Sequence, residues 1–157
     1  MIYFAQNIPT LPNAPSGGAW VGGWFFTTSG VGLDYIVDSS AAGTADLYFN
    51  LAAGILLDNT YRWNQNLIIT VNGVPVQYED IFMEGADAPF TQSPFREVFI
   101  SQIDLVQGRN VICIYTEADW MGLEVDYMTL KNASLAVTLS WRPNAANTIY
   151  HPDRPNG

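Results

Sequence analysis

Hydrophobic and polar residues alternate along most of this chain with a period of two. The runs Leu33-Asp-Tyr-Ile-Val37, Thr44-Ala-Asp-Leu-Tyr-Phe-Asn-Leu51, Leu67-Ile-Ile-Thr-Val71, Glu97-Val-Phe-Ile-Ser-Gln-Ile103, Asn110-Val-Ile-Cys-Ile-Tyr115, Leu123-Glu-Val-Asp-Tyr-Met128 and Ser134-Leu-Ala-Val-Thr-Leu-Ser-Trp141 are rich in β-branched and aromatic residues. Successive side chains of a strand point to opposite faces, so such runs predict strands with one face buried. Turn chemistry separates them. Asn72-Gly73 predicts a type I′ hairpin, and Ala42-Gly43 and Gly108-Arg-Asn110 predict two further hairpin turns. No segment repeats at the helical period. Many short strands joined by turns imply a β-sandwich or barrel rather than a βαβ fold. The segment from Arg142 to Gly157, rich in Pro and Asn, reads as a tail or linker after a domain spanning 1–141.

Composition narrows the class of partner. With 157 residues, 48% hydrophobic and 13% aromatic, one domain can bury a substantial core. Six basic against fifteen acidic residues give a net charge of −9, which opposes a polyanionic nucleic acid. Lys131 is the one lysine, and a surface built instead from Asn, Gln, Ser, Thr and Tyr suits an extracellular protein that hydrogen-bonds to sugars. Cys113, the one cysteine, falls in an alternating strand as a small core side chain, so no intrachain disulfide forms. No apolar run approaches the length that spans a bilayer, and neither a membrane nor a nucleic acid is an expected partner.

Three segments carry a resemblance to a known family. Gly18-Ala-Trp-Val-Gly-Gly-Trp24, Leu105-Val-Gln-Gly-Arg-Asn-Val-Ile112 and Gly122-Leu-Glu-Val-Asp-Tyr-Met-Thr-Leu130 resemble the "GGxYVGG" opening, the "LxxGxNxI" turn and the closing "NIDYI" strand of carbohydrate-binding modules of families 6 and 35. The resemblance covers about Gly17 to Lys131. It implies a jelly-roll β-sandwich of two antiparallel sheets that binds glycans without cutting them. It also implies an extracellular module, appended to a glycoside hydrolase or another secreted protein. Modules of this family carry a structural calcium held by an N-terminal "EAE" segment and the aspartate of the closing strand. In this chain that aspartate is Asp126, while Phe4 and Gln6 stand where the glutamates would be. By position Trp24 corresponds to one aromatic wall of the family's cleft, Phe90 or Phe95 falls near the opposite wall, and Glu124 replaces a sugar-binding asparagine.

The residues themselves point to the same chemistry. A sugar presents an apolar C–H face and a rim of hydroxyls, so its site needs exposed aromatic planes with convergent polar side chains. The two longest segments without a strand pattern, Ala53 to Gln65 and Glu79 to Arg96, are rich in aromatics. Trp24, Trp63, Trp120, Phe90 and Phe95 are candidate planes; Arg62, Asn64, Asp119 and Glu124 are candidate polar partners. The expected centre is Trp120 with Trp24 and Glu124 beside it, with Tyr61-Arg-Trp-Asn64 as the second location. Repulsion by the net charge favours a neutral polysaccharide over a polyuronate, which would need calcium or Arg62 and Arg96 to relieve it. The bland alternative is that these aromatics fill the core.

Catalytic machinery is sparse. His151 is the one histidine and lies in the tail, which leaves no components for a Ser-His-Asp triad or a His-based zinc site. Glu117, Asp119, Glu124 and Asp126 are close in sequence, as a carboxylate pair for glycoside hydrolysis would have to be, but fifteen acidic residues make such proximity common. The expectation is therefore a noncatalytic module. Second comes a structural or assembly subunit that uses the sandwich for protein contacts, and third a small glycan-cleaving enzyme.

Overall fold

The computed structural model of the chain describes residues 5–6, 19–20, 32–53, 62–83, 93–116, 123–134 and 137–143. The strands are β1 (Ala5–Gln6), β2 (Ala19–Trp20), β3 (Gly32–Ser39), β4 (Gly43–Ala53), β5 (Leu67–Val71), β6 (Val74–Pro75), β7 (Arg96–Leu105), β8 (Gly108–Thr116), β9 (Leu123–Lys131) and β10 (Val137–Pro143). The one helix among the described residues, α1 (Trp63–Asn66), is a single turn. A five-stranded sheet in the order β10-β3-β8-β5-β6 faces a three-stranded sheet in the order β7-β4-β9, and every pairing is antiparallel. This is the expected jelly-roll β-sandwich. The short β1–β2 ribbon lies beside β9.

The alternating positions of the sequence form the core. From the five-stranded sheet come Tyr35, Val37, Leu67, Ile69, Val71, Ile112 and Ile114; from the other come Ala45, Leu47, Phe49, Leu51, Val98, Ile100, Ile103, Leu105, Val125 and Met128. Tyr35 meets Phe49 edge to face across the two sheets, at 5.6 Å between ring centroids and 70° between planes. That geometry matches the preference of aromatic quadrupoles.

Two β-bulges adjust the alternation. Leu47 pairs with Ser101 but Tyr48 pairs with Phe99, so β7 carries an extra residue there. Hence Ile100 and Ile103, three positions apart, both face inward. In the same way Asn50 pairs with Tyr127 and Leu51 with Val125, which leaves Asp126 as the extra residue of β9 and lets both Val125 and Met128 enter the core.

The expected turns divide into two kinds. Asn72 and Gly73 take φ of +51° and +81° and join β5 to β6 in a two-residue hairpin, with Val71 opposite Val74. The corners at Ala42-Gly43 and Gly108-Arg-Asn110 are not hairpins, because β3–β4 and β7–β8 each pass from one sheet to the other. Gly108 there has φ of +88°, a conformation that glycine adopts readily. Asn110, fully buried, takes the place of the missing ladder. Its Oδ1 accepts from the Val106 N–H and from Asn72 Nδ2, each at 2.9 Å. Its Nδ2 donates to the Val106 and Gly108 carbonyls at 3.0 and 3.1 Å. Asn72 in turn accepts from the Val111 N–H at 2.9 Å. β10 runs through Arg142 and Pro143, opposite Asp34 and Leu33, so those two residues expected in the tail belong to the sheet.

On the outer face of the small sheet, Glu97 accepts hydrogen bonds from Lys131 Nζ and from the Tyr127 hydroxyl, while Lys131 lies 4.4 Å from the Tyr48 ring centroid. The Lys131 contact holds the Glu97 carboxyl below the usual carboxylate range.

Two predictions follow from the packing. Asn110→Ala removes a fully buried side chain and its bonds to the Val106 and Gly108 backbone, and should cost about 1–3 kcal/mol in denaturant unfolding, whereas Val106→Ala, at an exposed neighbour, should stay near neutral. Tyr35 and Tyr78 are held above the ordinary tyrosine range, in each case mainly by burial and secondarily by a carboxylate, Asp126 and Asp80 respectively. Groups raised in the folded state contribute stability that is complete below about pH 10 and is lost as pH climbs further. Tyrosinate absorbance should therefore rise in two stages, the second coinciding with loss of the β-sheet circular dichroism signal.

Candidate functional site

One end of the sandwich gathers the strand ends that flank the expected site. Ala53 at the end of β4 pairs with Leu123 at the start of β9, and Arg96 at the start of β7 pairs with Leu51. In the other sheet Leu67 pairs with Thr116, the last residue of β8, and Gly32 pairs with Tyr115. Residues 54–61, 84–92 and 117–122 thus connect to strand ends at a single end of the fold. Ser93 ties two of those ends together. Its N–H donates to the Ala53 carbonyl at 3.1 Å and its hydroxyl accepts from the Ala53 N–H at 2.8 Å.

Of the residues expected to bind, Trp24, Phe90, Asp119 and Trp120 lie outside the described residues. Glu124 is half-buried near the start of β9, opposite Ala52. Arg62 is exposed and its Nε lies 3.3 Å from Asp80 Oδ2. Asn64 is half-buried; its N–H donates to Asp80 Oδ1 at 3.2 Å and its Nδ2 to the Tyr78 carbonyl at 3.4 Å. The Tyr78 hydroxyl donates to the carbonyls of Leu67 and Trp63. Arg62 and Asn64 therefore staple α1 to the segment 78–80, a structural task that sequence reading did not foresee.

Trp63 corrects the expectation directly. Its relative exposure is 0%, so it has no face for a sugar to stack on and is instead part of the core. The single turn of α1 rotates it inward beneath the strand ends, although the segment around it is polar enough to suggest a surface loop. Its indole N–H and the Thr116 hydroxyl are buried without a hydrogen-bond partner among the described residues. Conversely Phe82, an aromatic of the segment Glu79 to Arg96 that is not among the candidate planes, is 64% exposed between the buried residues Ile81 and Met83. The alternation in Ile81-Phe82-Met83 is the signal that could have singled it out.

Asp126 stands at the β9 bulge, a device that re-aims a side chain. Its Oδ2 accepts from Asn50 Nδ2 at 3.0 Å. A calcium ion takes six to eight oxygen ligands. Among the described residues no group of three or more His, Cys, Asp or Glu could hold a metal ion, so they do not by themselves complete a calcium shell.

No family model matches the sequence, and no curated protein matches it either. Solved structures do match its fold. A family 35 carbohydrate-binding module from Cellvibrio japonicus superposes with a TM-score of 0.54 at 15% identity, covering 87% of this chain and 92% of that one. The family 35 module from Clostridium thermocellum does so with a TM-score of 0.54 at 22% identity, covering 82% and 91%. The fold is that of the family 35 carbohydrate-binding modules. It also matches part of a longer protein, a Podospora anserina family 26–family 35 β-(1,4)-mannanase, with a TM-score of 0.53 at 20% identity. That match covers 84% of this chain but 27% of the mannanase. On this family 35 fold, the "LxxGxNxI"-like turn is the Asn110 corner, at the end of the sandwich opposite the candidate site.

The core role of Trp63 has a measurable consequence. Trp63→Ala should cost about 3–5 kcal/mol in unfolding free energy, the usual range for a buried aromatic. Trp63→Phe forfeits no hydrogen bond among the described residues and should keep most of that stability. A Trp63→Ala protein as stable as wild type would return Trp63 to the surface.

Proposed function

We propose that this chain is a noncatalytic carbohydrate-binding module that docks a neutral polysaccharide at the end where β4, β7, β8 and β9 meet. Its expected setting is an extracellular one, as an appendage of a carbohydrate-active protein. The observation that carries the proposal is the whole-domain likeness to family 35 modules, one of them within a mannanase. Three features of the chain agree with it. Each segment joined to that end carries one aromatic residue, Tyr61, Phe90 and Trp120. The strand ends beneath are braced by Ser93 and by the α1 staple, so a ligand would meet a preorganised base. The net charge of −9 favours a neutral glycan.

Trp120 is the proposed central platform, with Trp24, Phe90, Asp119 and Glu124 around it and Arg62 and Asn64 at the margin. Stacking combines apolar burial with C–H contacts to the ring. Truncation to Trp120→Ala should therefore cost about 1–3 kcal/mol, roughly ten- to a hundredfold in affinity. Glu124→Ala should weaken binding by removing a hydroxyl acceptor. The measurement is affinity electrophoresis or calorimetry on xylan, mannan and galactan, with a polyuronate as the charged comparison. Absence of binding to every glycan, with and without calcium, would replace this function by the assembly-subunit reading. Release of reducing ends would replace it by an enzyme.

A structural calcium, held in part by Asp126, belongs to the same proposal. An ion bound only by the folded state stabilises it by mass action, so a chelator should lower Tm and calcium should restore it. A Tm unmoved by chelation would mean that Phe4 and Gln6 mark a lost site.

A further inference from the structure

We propose that Phe82 is a sugar-stacking platform, with the Arg96 guanidinium beside it donating to ring hydroxyls. The assignment rests on the carbohydrate-binding function above and adds a contact point outside residues 54–61, 84–92 and 117–122. Phe82 is 64% exposed, which forgoes the burial an aromatic ring would otherwise gain. Neighbouring residues fix it in that position. Ile81 and Met83 on either side are anchored in the core, and the Phe82 side chain faces outward between them. The backbone is pinned twice more, by the Ile81 N–H on Asp80 Oδ1 at 3.1 Å and by Arg96 Nη2 on the Phe82 carbonyl at 2.8 Å. Arg96 Nη2 also lies 3.9 Å from Met83 Sδ.

The other exposed apolar residues have simpler explanations. Phe99 stands edge-on to Tyr48 across two paired strands, at 5.3 Å and 62°, a contact that stabilises the sheet. Val74 belongs to the β5–β6 hairpin and Val106 to the corner before β8, and neither offers a flat ring. Phe82 has no aromatic partner among the described residues. Arg96 starts β7 at the end of the sandwich where the proposed site lies, so its bond to the Phe82 carbonyl brings the Phe82 backbone to that end. That bond occupies one nitrogen of the guanidinium and leaves further N–H groups of a rigid fork to meet vicinal hydroxyls. A phenyl ring has two side-chain torsions to fix on binding, and on a pinned backbone with planar donors on the same segment it suits the C–H face and hydroxyl rim of a neutral pyranose.

The test compares Phe82→Ala, Phe82→Leu and Phe82→Trp with wild type on soluble mannan, xylan and galactan, alongside Tm. Affinity for the polysaccharide that wild type retains should fall about tenfold or more in the Ala and Leu variants, and recover in Phe82→Trp, with Tm little changed in all three. If Ala and Leu variants bind like wild type while Trp120→Ala loses binding, Phe82 is no platform and the carbohydrate-binding function stands. If wild type itself binds none of the polysaccharides, both fall.

Discussion

The buried carboxamide of Asn110 is the interaction on which the rest of the sandwich depends. A chain that leaves one sheet and enters the other must break its ladder, and the backbone groups released there need other partners. Asn110 answers that at the β7–β8 corner by serving Val106 and Gly108 while it engages Asn72 of the β5–β6 hairpin. Two turns distant in sequence are thereby fixed to each other, and with them the stagger between edge strand β7 and central strand β8. Arg96 and the Phe82 segment hydrogen-bonded to it lie at the opposite end of β7.

The two ends of the domain have divided the work. One end holds small, polar, hydrogen-bonded corners where Asn72, Gly73, Gly108 and Asn132 adopt left-handed backbone angles. The other holds the longer connections and is braced from below by Ser93, Tyr78 and the Arg62–Asp80 pair. A rigid floor under longer connections is how a β-sandwich commonly presents a binding surface. The bulge at Asp126 lies on the strand that leads away from this end and redirects a carboxylate that strict alternation would have aimed elsewhere.

Much of the fold was legible because its signals are local. Period-two runs located the longer strands, and Asn72-Gly73 gave its hairpin through the left-handed angles those residues tolerate. The bulges were not legible. Ile100 with Ile103, and Val125 with Met128, read as breaks in the pattern until the partner strand is known. Ala42-Gly43 and Gly108 announced turns but not which sheet the chain would join next, since that depends on distant pairing. Trp63 misled because a single helical turn has too few residues to show a period, and only the packing reveals that its ring points inward. Phe82 was not among the candidate planes for the opposite reason: its outward direction depends on two core anchors that composition alone does not identify.

Backbone amide chemical-shift mapping during titration with a neutral oligosaccharide such as a mannan or xylan fragment reads directly where a ligand meets the domain. The largest shifts should cluster at Phe82, Ser93, Arg96, Thr116 and Glu124, with the Asn72 and Asn110 corner unmoved. Shifts centred on Asn72 and Asn110 would contradict the account, as would saturating oligosaccharide that moves no amide.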